Sequence, residues 1–229
     1  MHIYVFTSDK YHHALPPFAH LFNKYFDDGQ DVTVVGYAEP TVSLPENFSF
    51  ISLGKQEDYP WKKYSDALIK FLEQYAPPTF VLMLEDYWLC RQANVDQVQS
   101  CYDYTRSHPD VLRFDICADR LTSSSDYASY HDLDIIRSDP NSMYHMSLWT
   151  SVFNRDQMKR VIIPDESPHD IEIFGTTRTR ALDPAPLVLG TRQYPLRHIA
   201  ALRGQNSQKW ELGGLSEQDR QELQEKGWL

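Results

Sequence analysis

No stretch of this 229-residue chain approaches the ~20 consecutive apolar residues that a membrane-spanning helix needs. Nor does a basic segment followed by an apolar one open the chain. Met1 leads straight into the strand-like His-Ile-Tyr-Val-Phe, so no signal peptide is expected and the expected location is cytoplasmic. Cysteine is scarce. Cys90, Cys101 and Cys117 have neither paired nor metal-type spacing, which fits a reducing compartment. The histidines are scattered, with no HExxH and no compact ligand set, so a zinc site is not expected. GxGxxG and the glycine-lysine phosphate loop are both missing, which removes the usual dinucleotide and ATP motifs. Positive charge is in deficit too. A net charge of −10 argues against a non-specific nucleic-acid binder. A local basic patch from Lys62, Lys63, Arg178, Arg180, Arg192, Arg197 and Arg203 stays open.

What is present is a core. Apolar residues make up 41% of the chain, enough for one domain. The first half alternates strand and helix signals. His2 to Phe6 reads as a strand ending in Thr7-Ser8-Asp9, and Pro16-Pro17 open a helix. Asp31 to Tyr37 and Phe48 to Leu53 read as strands. Trp61, Tyr64, Leu68, Phe71, Leu72 and Tyr75 recur at helical spacing up to Pro77-Pro78. Asn94 caps a further helix, and Val111 to Ile116 returns as a strand. Such alternation predicts a parallel, three-layer α/β sheet. In the second half, Ser123 to Tyr130 reads as a polar loop. Leu133 to Arg137 and Tyr144 to Phe153 read as strands, and Asn154 opens a short helix. Ser167 to Arg180 has no clear period. Ser216-Glu-Gln-Asp219 is a capping box for a last helix ending at Gly227.

Chemistry concentrates in Thr79-Phe-Val-Leu-Met-Leu-Glu85-Asp86-Tyr-Trp-Leu89. A buried parallel strand runs into two adjacent carboxylates, and ligands of open α/β sheets sit at the carboxyl ends of strands. Adjacent carboxylates repel unless a cation neutralises them; the competing reading is an acidic loop after a core strand. Thr7-Ser8-Asp9 suits contacts to a base or ribose, or is a plain turn. Asp170 and Glu172 point the same way if the segment is extended. They then supply a general base for a hydroxyl; otherwise they cap a helix or pair with Arg178 and Arg180. Trp88, Tyr144 and Trp149 could stack on a sugar or base.

Taken together these segments resemble small bacterial and phage glycosyltransferases of the GT-A fold. The residues carrying the resemblance are the Glu85-Asp86 segment, Tyr144-His-Met-Ser-Leu-Trp149, Asn154-Arg-Asp-Gln-Met158, Ser167-Pro-His-Asp-Ile-Glu172, Gly175-Thr-Thr-Arg178, Ala201-Leu-Arg-Gly204 and Gly214-Leu-Ser216. Three positions depart from the family pattern: Glu85 stands for an aspartate, His169 for a tryptophan and Ile171 for a phenylalanine. The resemblance implies a single-domain, three-layer, Rossmann-like GT-A fold with a mainly parallel central sheet. Residues 1–118 would form the nucleotide-sugar half and 119–229 the acceptor half.

It further implies transfer of a sugar from a nucleotide-diphosphate donor, expected to be a UDP-sugar. Thr7, Ser8, Asp9, Trp61, Tyr64, Glu85, Asp86 and Arg178 would contact that donor. Mn2+ or Mg2+ would sit on Asp86, with Glu85 as second ligand. Glu172 would be the base if the enzyme inverts, with Asp170 as the other candidate. The acceptor would be a surface or lipid-linked saccharide, or a hydroxymethylated base in phage DNA. A sugar-nucleotide nucleotidyltransferase and a non-catalytic nucleotide-sugar-binding protein are the alternatives.

Overall fold

The computed structural model describes residues 1–202 and 209–229. Arg203 of the basic set and Gly204 of the resemblance lie outside the described residues. The elements run β1 (Ile3–Phe6), α1 (Leu15–Tyr25), β2 (Val32–Gly36), β3 (Phe48–Ser52), α2 (Tyr64–Gln74) and β4 (Thr79–Leu84). β5 (Tyr87–Leu89), α3 (Val95–Ser107), β6 (Val111–Asp115), β7 (Ser124–Tyr130) and β8 (Leu133–Ser138) follow. β9 (Ser151–Asn154), α4 (Arg155–Val161), α5 (Pro168–Ala181), β10 (Leu187–Thr191), β11 (His198–Ala200) and α6 (Glu217–Glu225) complete the chain.

Nine strands form one sheet in the order β3-β2-β1-β4-β9-β6-β10-β8-β7. β3, β2, β1 and β4 are mutually parallel. β9 runs against both β4 and β6, so β6 points the same way as β4, and β10 lies parallel to β6. β8 opposes β10, and β7 opposes β8. Only β8 and β9 therefore run against the rest, and the expected mainly parallel α/β sheet is what the chain forms. β9, from the second half of the chain, lies between two strands of the first. The halves share one sheet.

Alternation along the strands builds the layers. Ile3 and Val5 of β1, with Val81 and Met83 of β4, pack under Phe18 and Phe22 of α1 and Val98 and Cys101 of α3. Tyr4, Phe6, Phe80 and Leu82 point to the other face. They meet Leu68 and Phe71 of α2, Met158 and Val161 of α4 and Ile171 of α5. Successive side chains of a strand alternate faces, so both faces must be apolar when both are covered. α6 is tied to α1. Buried Asp219 accepts hydrogen bonds from Lys24 Nζ at 2.9 Å and Tyr25 Oη at 2.8 Å.

Four expectations are corrected. Trp61 lies in a 3-10 turn ahead of α2 and is 65% exposed, so it is not part of the helix's buried stripe. The strand expected over 144–153 is only Ser151–Asn154: Tyr144 takes a positive φ of 54° and residues 145–150 bend instead of pairing. Ser124–Tyr130 is an edge strand rather than a loop; it pairs with β8 alone, and its residues are largely exposed. Residues 168–181 form a helix. Ser167 caps it, Pro168 sits in its first turn, and Asp170 closes a capping box with Ser167. Among the described residues no helix is long and apolar enough to cross a membrane.

Candidate functional site

Parallel pairing brings the carboxyl ends of β1 and β4 side by side. Phe6 pairs with Leu84, so the next residues, Thr7 and Glu85, leave the sheet together. The Glu85 amide donates to Phe6 O at 3.2 Å, and the Thr7 amide donates to Val35 O of β2 at 2.9 Å. Glu85 is buried and Asp86 half-buried in the turn between β4 and β5. No lysine or arginine among the described residues forms an ion pair with either. Loss of water raises the Glu85 carboxyl well above its usual range, and the neighbouring Asp86 charge raises it further. Burial pushes Asp86 up to about 6. The turn is held from behind: Trp88 Nε1 donates to Glu85 O at 3.0 Å and the Ala201 amide donates to Asp86 O at 2.7 Å.

Asp9 lies further along the same edge. Its carboxylate accepts from the Ala38 amide after β2 at 3.0 Å, and its amide donates to Gln56 Oε1 at 3.3 Å. A cleft of about 510 Å³ opens there, lined by Asp9, Ala38, Gly54, Lys55, Gln56 and Glu57. It spans the exits of β1, β2 and β3. Tyr37 and Tyr59 stack beside it with ring centroids 5.7 Å apart.

Glu172 reaches the edge from α5. Its Oε1 accepts from Ser147 Oγ at 3.0 Å and from the Leu148 amide at 2.9 Å, which leaves Oε2 without a protein donor among the described residues. The Tyr64 hydroxyl, out of water, ties the groups together. Burial raises its pKa first, and the charges of Glu85 and Glu172 raise it further. Tyr87 is raised in the same way, by burial and then by Asp86, Glu172 and Asp119 among its charged neighbours. Thr7, Tyr64, Glu85, Asp86 and Glu172 thus share one site, with Ser8 and Asp9 flanking it.

Three candidates lie elsewhere. On a helix, Asp170 and Glu172 are two residues apart and face different directions. Asp170 accepts from Ser167 Oγ at 2.7 Å, and that hydrogen bond holds its carboxyl below the usual range. Arg178 is committed to the fold: it grips Glu166 through two bonds of 2.8 and 2.5 Å and donates from Nε to Val161 O at 2.7 Å. Trp61 is exposed, as described above. The basic set is dispersed among separate partners. Arg192 pairs with Asp126, Lys63 lies 3.8 Å from Asp165, Arg180 donates to Ser142 O, and Arg197 stacks over Tyr194.

The sequence reading missed several residues. Asp119 follows β6 and is bound by the guanidinium groups of Arg113 and Arg120; Arg113 is fully buried. Those arginines lower its pKa against the burial that would raise it. The strand-exit rule that picked out Glu85-Asp86 applies equally to the residues after β6. His198 gave no signal, being a lone histidine. It stacks on Tyr87 and is forced well toward neutrality, to about 4, by burial.

Among the described residues no group of three or more His, Cys, Asp or Glu side chains is arranged to hold a metal. The Glu85-Asp86 pair nonetheless fits a hard divalent cation that takes its other ligands from phosphate oxygens and water. Such a cation would supply charge neutralisation where burial has withdrawn it.

Neither a family model nor a curated protein matches the chain. The solved structures similar to it include two of low identity, LgtC and TarS. One is an active-site mutant of LgtC, with a TM-score of 0.42 and 12% identity over 70% of this chain and 59% of that one. The other is residues 1–349 of TarS from S. aureus, with a TM-score of 0.47 and 15% identity over 83% of this chain and 58% of that one. The chain spans less than two thirds of the length of either.

Proposed function

We propose that the protein is a glycosyltransferase that moves a sugar from a nucleotide-diphosphate donor to an acceptor hydroxyl. The observation that carries this reading is the adjacent Glu85 and Asp86 carboxylates, without a counter-ion among the described residues, beside the exits of the parallel strands, with a third carboxylate, Glu172 of α5, bearing on the same Tyr64 and Tyr87. The nucleoside belongs in the cleft formed by Asp9, Ala38 and Gln56, with Thr7 and Ser8 toward the ribose and diphosphate. Asp86 and Glu85 would hold Mn2+ or Mg2+, which would supply Lewis-acid neutralisation of a diphosphate leaving group. Glu172 takes the acceptor proton on Oε2, while Ser147 and the Leu148 amide fix Oε1. Tyr64 and Tyr87 exclude water between the two ends of the site.

The deciding measurement is thermal stabilisation by a panel of nucleotide sugars with and without Mn2+, repeated on Asp86→Asn. Metal-dependent stabilisation of the native chain by at least one member, lost in the variant, is expected. Stabilisation by none, or equal stabilisation with EDTA and in Asp86→Asn, would remove the reading.

A further inference from the structure

We infer that Tyr87, Trp149 and His198 form a platform for the pyranose ring of an uncharged saccharide. The inference rests on the glycosyl-transfer reading of the same site and names the substrate class. The three rings come from distant parts of the chain: β5, the segment before β9, and the first residue of β11. Tyr87 and His198 stack with centroids 4.6 Å apart and planes 16° from parallel. Trp149 lies 5.1 Å from each, tilted by 45° and 46°. All three residues are half-buried, so the cluster retains an accessible side.

Polar edges in and beside this cluster lack side-chain partners among the described residues. Among the described residues Trp149 Nε1 and the Tyr64 hydroxyl lie out of water without a hydrogen bond, and the His198 ring nitrogens lie out of water with no side-chain partner, beside the Ile199 backbone. Buried tyrosine, tryptophan and histidine edges ordinarily find a partner, and a cluster held only for packing would be expected to supply one. A pyranose fits both properties. Its C–H face lies against aromatic rings, and its hydroxyls both donate and accept, matching an indole N–H, a phenol and an imidazole with one donor and one acceptor nitrogen.

Location and charge narrow the ligand. Ser147 links Trp149 to the candidate base: its Oγ accepts from the Trp149 amide at 3.1 Å and donates to Glu172. Tyr87 follows Asp86 directly. The platform therefore lies between the leaving-group end and the base end of the site, apart from the nucleoside cleft. Of the carboxylates bearing on Tyr87, Asp119 is offset by Arg113 and Arg120, which leaves Asp86 and Glu172 as the uncompensated charges among the described residues. A uronate or other acidic sugar would be repelled. The ring belongs either to the donor or to the acceptor, and the experiment has an arm for each.

Calorimetric titration of the full chain with Mn2+ would compare UDP, GDP and dTDP with their neutral hexose conjugates and with UDP-glucuronate. Methyl glycosides of the same hexoses, added over the nucleotide, form the acceptor arm. The variants are Trp149→Phe, His198→Phe and Tyr64→Phe, which keep a ring and delete the polar edge; a thermal melt of each confirms folding. A neutral hexose should add affinity in one arm, UDP-glucuronate should gain none, and at least one folded variant should lose about 3–10-fold of the sugar-dependent part. Nucleotide affinity should stay unchanged in Trp149→Phe and His198→Phe. No gain from any neutral hexose in either arm, equal binding of UDP-glucuronate, or folded variants that keep the full gain would overturn the platform. If no nucleotide binds but the methyl glycosides do, and the variants lose them, the donor reading fails and the platform stands.

Discussion

Three side chains that the sequence placed in one site separate once their partners are known. Asp170, Glu172 and Arg178 fall within nine residues, yet each has a different task. Asp170 satisfies the start of α5, Arg178 ties that helix to Glu166, and Glu172, bound through Oε1 to Ser147 and Leu148, has no donor to Oε2 among the described residues. Their kinetics should separate as well. Glu172→Gln keeps the hydrogen bonds but cannot take a proton, so kcat should fall ~10²–10⁴-fold with donor affinity nearly unchanged. Steady-state rates at saturating donor and acceptor measure it, and a near-normal kcat would remove the base assignment. Asp170→Asn should lower the melting temperature slightly and leave kcat intact. Arg178→Ala strands a mostly buried Glu166 and should cost on the order of 1–3 kcal/mol in urea unfolding, without weakening nucleotide binding. A selective loss of nucleotide affinity there would restore Arg178 to the donor site.

At the scale of elements, α6 shows how a short polar helix is fixed. Ser216 and Asp219 form its capping box, and the same Asp219 accepts from Lys24 and Tyr25 of α1. Burial would raise the Asp219 carboxyl, but the hydrogen bonds from Ser216, Lys24 and Tyr25 outweigh it and hold it below 3.8. Glu222, bonded to Lys24 and His20, is held down to about 2. Depressed carboxylates stabilise the fold above their unfolded values and lose that contribution as pH falls through the folded ones. Asp219→Asn should therefore reduce stability at pH 7 by on the order of 2 kcal/mol. The deficit should shrink as pH drops from about 4 toward 2, which urea titrations at several pH values would measure. A constant deficit would mean the carboxylate charge is irrelevant.

The capping box was legible because its spacing is local, as were α1, α2 and α3, whose apolar stripes recur at helical spacing. α5 was not. It leaves Ile173 and Phe174 exposed and buries Gly175, Thr176 and Thr179, so no apolar stripe marks it. β7 was hidden for the opposite reason: an edge strand solvated on most of its length carries no alternation to read. His198 belongs to the site only because β11 pairs with β5, a contact between residues about a hundred positions apart.

Across the whole molecule, the sheet gathers charge at one edge. The chain carries a net charge of −10, and Glu85, Asp86 and Asp115 are carboxylates at the exits of its strands. Asp115 has an internal answer: it accepts from the Cys117 and Arg120 amides at 3.0 and 2.9 Å. Burial pushes Asp115 up to about 6 all the same, although the Arg113 charge lowers it; Glu85 and Asp86 are adjacent and form no ion pair among the described residues, so stability and activity should oppose each other there. The sign follows from Asp86. Its folded pKa of about 6 exceeds the usual 3.8, so the folded state holds the proton more tightly than the unfolded one. Such a group adds stability as pH falls toward 4 and withdraws it as pH rises through 6.

Asp86→Asn removes a buried charge at pH 8 and removes little at pH 4. Without added cation the variant should melt higher than the native chain at pH 8, by roughly 5 °C for on the order of 2 kcal/mol. The two should converge near pH 4. Adding Mn2+ with a nucleotide diphosphate should raise only the native chain and narrow or reverse the gap. Calorimetric melts of both proteins at pH 4 and pH 8 test all three statements. A variant that melts lower than the native chain at pH 8 would mean that the Asp86 carboxylate already has a stabilising partner, and the case for a cation at the end of β4 would lose its physical basis.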